Sequence, residues 1–189
     1  MEKKIILVRH GEPDVKKWES ERNGSYGEWV KAYNSAGIKN ESRPSEELKA
    51  AVEGCDLIIS SDLRRAVETA EALCLSIPVR KEPVLREIEL PESKRKLPKF
   101  SPEIWATIFR ILWFFGVSGN VENLREAKER IKKASEKILS VAEDNNKIVV
   151  VGHGLINRFI AGELKSNGWS GPKYNRANYW DFFEYRKRY

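Results

Sequence analysis

Two β-branched apolar runs, near opposite ends of the chain, terminate in the same step. Ile5-Ile6-Leu7-Val8 passes through Arg9 into His10-Gly11, and Ile148-Val149-Val150-Val151 passes through Gly152 into His153-Gly154. Continuous short apolar runs of this kind suit strands buried on both faces, the habit of parallel sheets covered by helices. The chain holds only two histidines, and both stand at these strand ends. Open α/β sheets bind ligands outside the carboxyl ends of their strands. The pattern therefore predicts one edge, two imidazoles and a single site.

At 189 residues the chain can build one complete core, and a single domain spanning residues 1–189 is expected. Hydrophobic residues at 41% against 33% charged describe a globular chain rather than a disordered one. No apolar run approaches the ~20 residues of a spanning helix, so no membrane partner is expected. The apolar stretch after Lys3-Lys4 is too short for a signal peptide. Cys55 and Cys74 are isolated and lack metal-ligand spacing; packed, reduced thiols and a cytoplasmic setting are expected. A net charge of +6 favours anionic partners without choosing among them. The short clusters Lys94-Arg95-Lys96 and Arg186-Lys187-Arg188 read as solvated surface, and nucleic acid is not the favoured partner.

Strand and helix signals alternate along the chain. An irregular stretch from Pro13 to about Pro44 carries Trp18, Tyr26, Trp29 and Tyr33, read as anchors of a long loop, with stacking on bases or sugars as the alternative. Ser45 caps a helix that opens with Glu46 and Glu47 and ends near Gly54. A second strand runs from Asp56 to Ser60. Ser61 is read as the cap of the next helix, whose stripe is Leu63, Ala66, Val67, Ala70, Leu73 and Cys74. A third strand from Val79 to Leu85 and a polar loop from Glu87 to Pro102 follow. The segment from Ile104 to Phe115, apolar nearly all round, is expected as an ordinary buried helix; a lid, a substrate wall or a dimer surface are the alternatives. A long amphipathic helix runs from about Val121 to Asp144. Then come a strand from Lys147 to Val151, a helix from Leu155 to about Asn167 and an aromatic strand from Tyr179 to Tyr185.

An imidazole at a strand end, beside an arginine and next to glycine, suits attack on a phosphate ester. Such a nucleophile must be neutral, so its other ring nitrogen should be held by a backbone acceptor. The phosphoryl oxygens need fixed cationic donors, which arginine supplies as a planar fork. Glycines 11, 152 and 154 would let the backbone approach a bound anion. One isolated histidine would be read as a packed core residue; two in the same setting are read together. The segment from Ser60 to Ala70 crosses from strand to helix and places Arg65 in the first turn, where the helix dipole favours anions. Arg64 would point about 100° away around the helix.

Arg9-His10-Gly11-Glu12, the Ser60-to-Ala70 segment and Gly152-His153-Gly154, in this order, resemble the histidine phosphatase superfamily, which includes cofactor-dependent phosphoglycerate mutases, fructose-2,6-bisphosphatases and many small phosphatases. The resemblance covers nearly the whole chain. It implies a phosphoglycerate mutase-like fold: a three-layer α/β/α sandwich with a mostly parallel central sheet. It implies His10 as the nucleophile of a phosphohistidine intermediate, with Arg9, Arg65 and His153 forming the phosphate pocket. Leu85-Arg86-Glu87 matches the family's Leu-x-Glu, whose glutamate protonates the leaving oxygen; Glu87 takes that role, with Glu12 and Glu89 in reserve. Arg158 corresponds to an arginine that follows the second histidine in mutases. No metal and no cofactor are implied.

Departures separate the chain from the mutases. Pro13 stands where they have Ser or Thr, Leu155 where they have Asn, and the stretch from Ile88 to Ser93 lacks their aromatic-Gly-x-Trp-Glu-Gly sequence. Groups that would grip phosphoglycerate are thereby missing, and the expectation is a phosphomonoester hydrolase. Its substrate would be a phosphorylated small molecule or a phosphoprotein, and a homodimer is compatible with the pattern. A phosphoglycerate mutase is the alternative, and a non-catalytic phosphate- or nucleic-acid-binding module is the alternative of another class.

Overall fold

Successive side chains of a strand point to opposite faces of its sheet, and here both faces are covered. Ile5 and Leu7 of β1 (Glu2–Arg9) join Ile148 and Val150 of β4 (Lys147–Gly152) in one apolar cluster. That cluster packs on Ala134 and Ile138 of α5 (Leu124–Asp144) and on Ile160 and Leu164 of α6 (Gly154–Ser166). The intervening residues Ile6, Val8, Val149 and Val151 face Leu48 and Val52 of α2 (Glu46–Val52) and Ala66 and Ala70 of α3 (Arg64–Leu73). The computed structural model describes residues 2–15, 26–73, 76–91, 100–174 and 178–189. Its sheet has five strands in the order β3-β2-β4-β1-β5, with β2 (Leu57–Ser60), β3 (Val79–Lys81) and β5 (Phe182–Arg188) completing it. Only the pairing of β5 with β1 is antiparallel. This is the expected three-layer α/β/α sandwich.

Most elements fall where the sequence places them. Ser45 caps α2, its hydroxyl accepting from the Leu48 amide. Four expectations need correction. Within the stretch read as irregular lies α1 (Tyr26–Ser35), whose Tyr26, Trp29 and Val30 are buried. Its weak periodicity hides it, because its apolar face packs on another helix rather than on the sheet. The third strand stops at Lys81 and gives way to a 3-10 turn (Pro83–Leu85), since Pro83 lacks the amide that would extend the ladder. Ser61 lies too far from the start of α3 to cap it. The last strand begins at Phe182, because Tyr179 and Trp180 form a turn. Trp18, Cys74 and the Lys94-Arg95-Lys96 cluster lie outside the described residues.

The apolar helix α4 (Pro102–Phe114) is the largest departure. It is not a buried helix: Ile111 is 53% exposed, and Phe115 just beyond it 82%. Apolar residues all round a helix predict burial only where partners exist on every side. Here Trp105 and Phe109 pack on the α1 cluster and Trp113 enters the main core, leaving the outer face uncovered. Among the described residues no helix is long and apolar enough to cross a membrane.

Trp113 is the deep anchor of α4, 1% exposed, its indole N–H donating to the Glu122 carbonyl at 2.7 Å. Trp113→Ala should lower the unfolding free energy by about 3–5 kcal/mol, the usual cost of truncating a large buried aromatic. Urea unfolding measures this, and a loss below 1 kcal/mol would show that α4 is held elsewhere.

Candidate active site

The register of the two central strands creates the site. Arg9 stands opposite Gly152 in the β1–β4 ladder, so the next residue of each strand is a histidine at the same edge. The His10 amide continues the ladder, donating to the Gly152 carbonyl at 3.1 Å. On the other side of β4, the Ser61 amide donates to the Val151 carbonyl at 2.9 Å, which brings in the end of β2. The imidazole centroids of His10 and His153 lie 4.9 Å apart with their planes at 61°. Both rings are buried, at 2% and 1% exposure.

His10 Nδ1 lies 2.7 Å from the Gly11 carbonyl oxygen, an acceptor only, so the ring proton belongs on Nδ1 and the lone pair on Nε2. The carbonyl is itself fixed: the Glu12 amide of the same peptide unit donates to Ser42 Oγ and the Gly11 amide to Thr69 Oγ1, each at 2.9 Å. Burial first, then the Arg65 and Arg9 charges, hold the His10 pKa well below the ordinary value, opposed only by the Gly11 bond. Burial also depresses His153, with His10 and the same arginines adding to it. Ser61 Oγ lies 3.0 Å from His153 Nε2 and accepts from the Leu63 amide. The serine proton can be donated to Nε2, and in that arrangement the His153 proton sits on Nδ1. That nitrogen is buried and finds no hydrogen-bond acceptor among the described residues.

Two guanidinium groups complete the pocket. Arg65, in the first turn of α3, is 1% exposed; its Nη1 donates to the Tyr33 carbonyl, and its Nε has no acceptor among the described residues. Its Cζ stands 4.6 Å from the Tyr33 ring centroid. Arg9 is arranged alike, its Cζ 4.5 Å from the Tyr179 ring. Arg64, next to Arg65 in the chain, points outward and pairs with Glu68. The buried Arg65, its guanidinium lying against a ring, keeps its field available for an anion.

Glu87 sits on the wall of the cavity beside this cluster. Its carboxylate accepts from the Ile88, Leu155 and Ile156 amides at 3.0–3.1 Å, which ties it to the N-terminus of α6. The segment before it is held by Arg130 of α5, whose Nη1 donates to the Val84 and Arg86 carbonyls. Of the reserve carboxylates, Glu12 pairs with Lys39, and Glu89 is exposed; both line the cavity. Arg158 is exposed on α6 and stands outside the buried cluster. The glycines at 11 and 152 are each required by a neighbouring side chain. An added Cβ would meet the Trp180 ring at 2.7 Å and Asn157 Oδ1 at 2.3 Å respectively. Among the described residues no three His, Cys, Asp or Glu side chains form a set that could hold a metal ion.

The cavity measures about 590 Å3, within the range of small-molecule sites, and Trp29, Tyr33, Arg65, Glu87, Arg110 and Tyr179 lie on its wall. The sequence does not reveal Ser61 as a histidine partner, nor Thr69, Tyr179 and Arg130, and it offers Tyr33 only as a loop anchor or a stacking residue. Ser61 and Thr69 flank Arg65 within the recognised segment; Tyr179 and Arg130 carry no local signal.

The buried imidazoles make stability depend on pH. In the unfolded chain each histidine titrates near ~6.5, whereas the folded values are depressed. The stabilisation is complete above the unfolded value and is lost as pH falls, by about 1.4 kcal/mol per pH unit for each histidine. Unfolding free energy measured from about pH 7 to pH 5 should therefore decline before the carboxylates titrate, and His153→Asn should halve the slope. A flat profile would contradict the neutral pair.

No match was found among curated proteins. Among solved structures, mycobacterial glucosyl-3-phosphoglycerate phosphatase matches with a TM-score of 0.65 at 17% identity, covering 98% of this chain and 91% of its own. An Escherichia coli protein described as a putative alpha-ribazole-5'-P phosphatase matches with a TM-score of 0.61 at 18% identity, over 96% of this chain and 89% of its own. YhfR of Bacillus stearothermophilus matches with a TM-score of 0.62 at 22% identity, over 87% and 80%. These likenesses show a shared fold. The family model of the histidine phosphatase superfamily (branch 1) matches residues 5–179, and to that superfamily the chain belongs.

Proposed function

We infer that the protein is a phosphomonoester hydrolase that works through a phosphohistidine on His10. One observation carries the reading: a neutral, buried imidazole with its lone pair on Nε2 stands against a second imidazole and two guanidinium groups. Mycobacterial glucosyl-3-phosphoglycerate phosphatase, which shares the fold, is described in complexes with VO3 and with inorganic phosphate, which supports an oxyanion pocket in this fold.

In the first step Nε2 attacks phosphorus, the bond to the ester oxygen breaks, and protonated Glu87 gives its proton to the leaving oxygen. The amides of Ile88, Leu155 and Ile156 stabilise the carboxylate that results. Arg9, Arg65 and the His153 Nδ1 proton neutralise the equatorial oxygens as charge gathers on them. In the second step water attacks phosphorus, the P–N bond breaks, and Glu87 takes the proton from water. No resident metal or cofactor is required by this sequence. The substrate is a small phosphorylated metabolite or a phosphoprotein.

His10→Ala should abolish phosphate release, and the wild-type protein quenched during turnover should carry acid-labile phosphate that this variant lacks. Undiminished turnover by a folded His10→Ala protein would overturn the mechanism. Glu87→Gln should lower kcat for alkyl phosphates by about 10²–10⁴-fold, as for other general acids. It should slow 4-nitrophenyl phosphate much less, because that leaving group departs without a proton; equal losses on both would remove Glu87 from the role.

A further inference from the structure

The arginines of the anion pocket are covered by aromatic rings, and those rings also face the cavity. Tyr33, from α1, lies on Arg65; Tyr179, from the turn before β5, lies on Arg9. Both tyrosines are on the cavity wall, whereas His10 and His153 are not. The Tyr179 ring centroid is 5.6 Å from the His10 imidazole, inclined at 39°. A group attached to a phosphorus atom at His10 would pass into this cavity, where the two rings lie beside the pocket. Trp29 extends the surface, stacked on Tyr33 at 5.2 Å with only 26° between the planes.

Two further features fix the rings and keep them uncharged. Trp180, next to Tyr179, has a positive φ of 68°, a backbone state that bulky residues hold only when the surroundings impose it. Its indole donates to Ser42 Oγ at 2.7 Å, and its ring abuts Gly11, so the turn presenting Tyr179 is fixed from two sides. Burial pushes the Tyr33 phenol up to about 12, so it stays uncharged beside Arg65 and within electrostatic reach of Tyr179, Arg9 and Glu87. Charged side chains such as Lys39, Arg86, Glu89 and Arg110 also line the cavity, but the rings are what lies beside the arginines and His10, and planar groups need such rings on which to stack.

We propose that the site selects phosphomonoesters whose leaving group is a planar aromatic group, with Tyr33 and Tyr179 as the specificity-determining residues. The proposal rests on the hydrolytic reading of the site and narrows its substrate class.

The test compares kcat/KM for benzyl phosphate, cyclohexylmethyl phosphate and glycerol 3-phosphate. The first two release alcohols of similar acidity and similar bulk, so planarity is what separates them. Benzyl phosphate should be preferred over cyclohexylmethyl phosphate by about fivefold to tenfold, mainly through KM, as one aromatic stacking contact supplies. Tyr33→Leu and Tyr179→Leu should bring that ratio toward one, and Tyr33→Phe and Tyr179→Phe should keep it. If phosphate is released but the ratio is near one, glycerol 3-phosphate is preferred, or the leucine variants leave the ratio unchanged, hydrolysis stands and the aromatic subsite falls. If no ester is hydrolysed, the hydrolytic reading fails and calorimetric binding of benzylphosphonate against cyclohexylmethylphosphonate decides. A benzyl preference that the leucine variants remove supports the subsite, and equal or absent binding overturns it.

Discussion

The parallel pairing of β1 with β4 is the constraint on which the rest of the molecule depends. Its register sets Arg9 opposite Gly152, and from that single alignment the two imidazoles follow side by side at the sheet edge. A slip of one residue would turn one histidine to the other face and mismatch both apolar clusters at once. The clusters on the two faces of the sheet therefore do more than stabilise the fold. They hold the register, and the register holds the site.

Electrostatics at the edge then follow from what is buried and what is not supplied. The Arg65 guanidinium and two neutral imidazoles are withdrawn from water, and Glu87, a carboxylate that acts on Arg65, is occupied with the amides at the start of α6. A buried guanidinium is costly to hold away from an anion, so in the proposed reaction Arg65 would favour an anionic ligand over a neutral one. Tyrosine faces reduce the cost of burying the guanidinium groups without cancelling their charge. The same choice gives the cavity an aromatic lining, so the proposed anion binding and leaving-group selection would arise from one set of contacts.

Around this centre the helices differ in their dependence on the core. α5 and α6 bury regular stripes on the sheet, whereas α1 and α4 pack largely on each other over the cavity. The pair forms a small apolar assembly of its own, joined to the core through Trp113. That separation explains why the sequence was misleading here. α1 has too few sheet-facing positions to show a helical period, and the apolar circumference of α4 suggested burial that its neighbours do not provide. In α2, α3 and α5 the sheet imposes one wet face and one dry face, and the pattern was plain.

What the sequence determined by itself is local and repetitive: strand runs, helix stripes, the Ser45 cap and the blocks around His10, Arg65 and His153. These are written in neighbouring residues, because backbone geometry and periodic burial act over a few positions. The tertiary structure alone decided which distant groups face these blocks. Tyr33 and Tyr179 reach the two arginines, Ser61 turns to His153 instead of capping a helix, and Arg130 supports the segment before Glu87. Such contacts join side chains far apart along the chain, and no short-range preference encodes them. They exist because the sheet order places β4 between β1 and β2, and so draws three remote strand ends to a common edge.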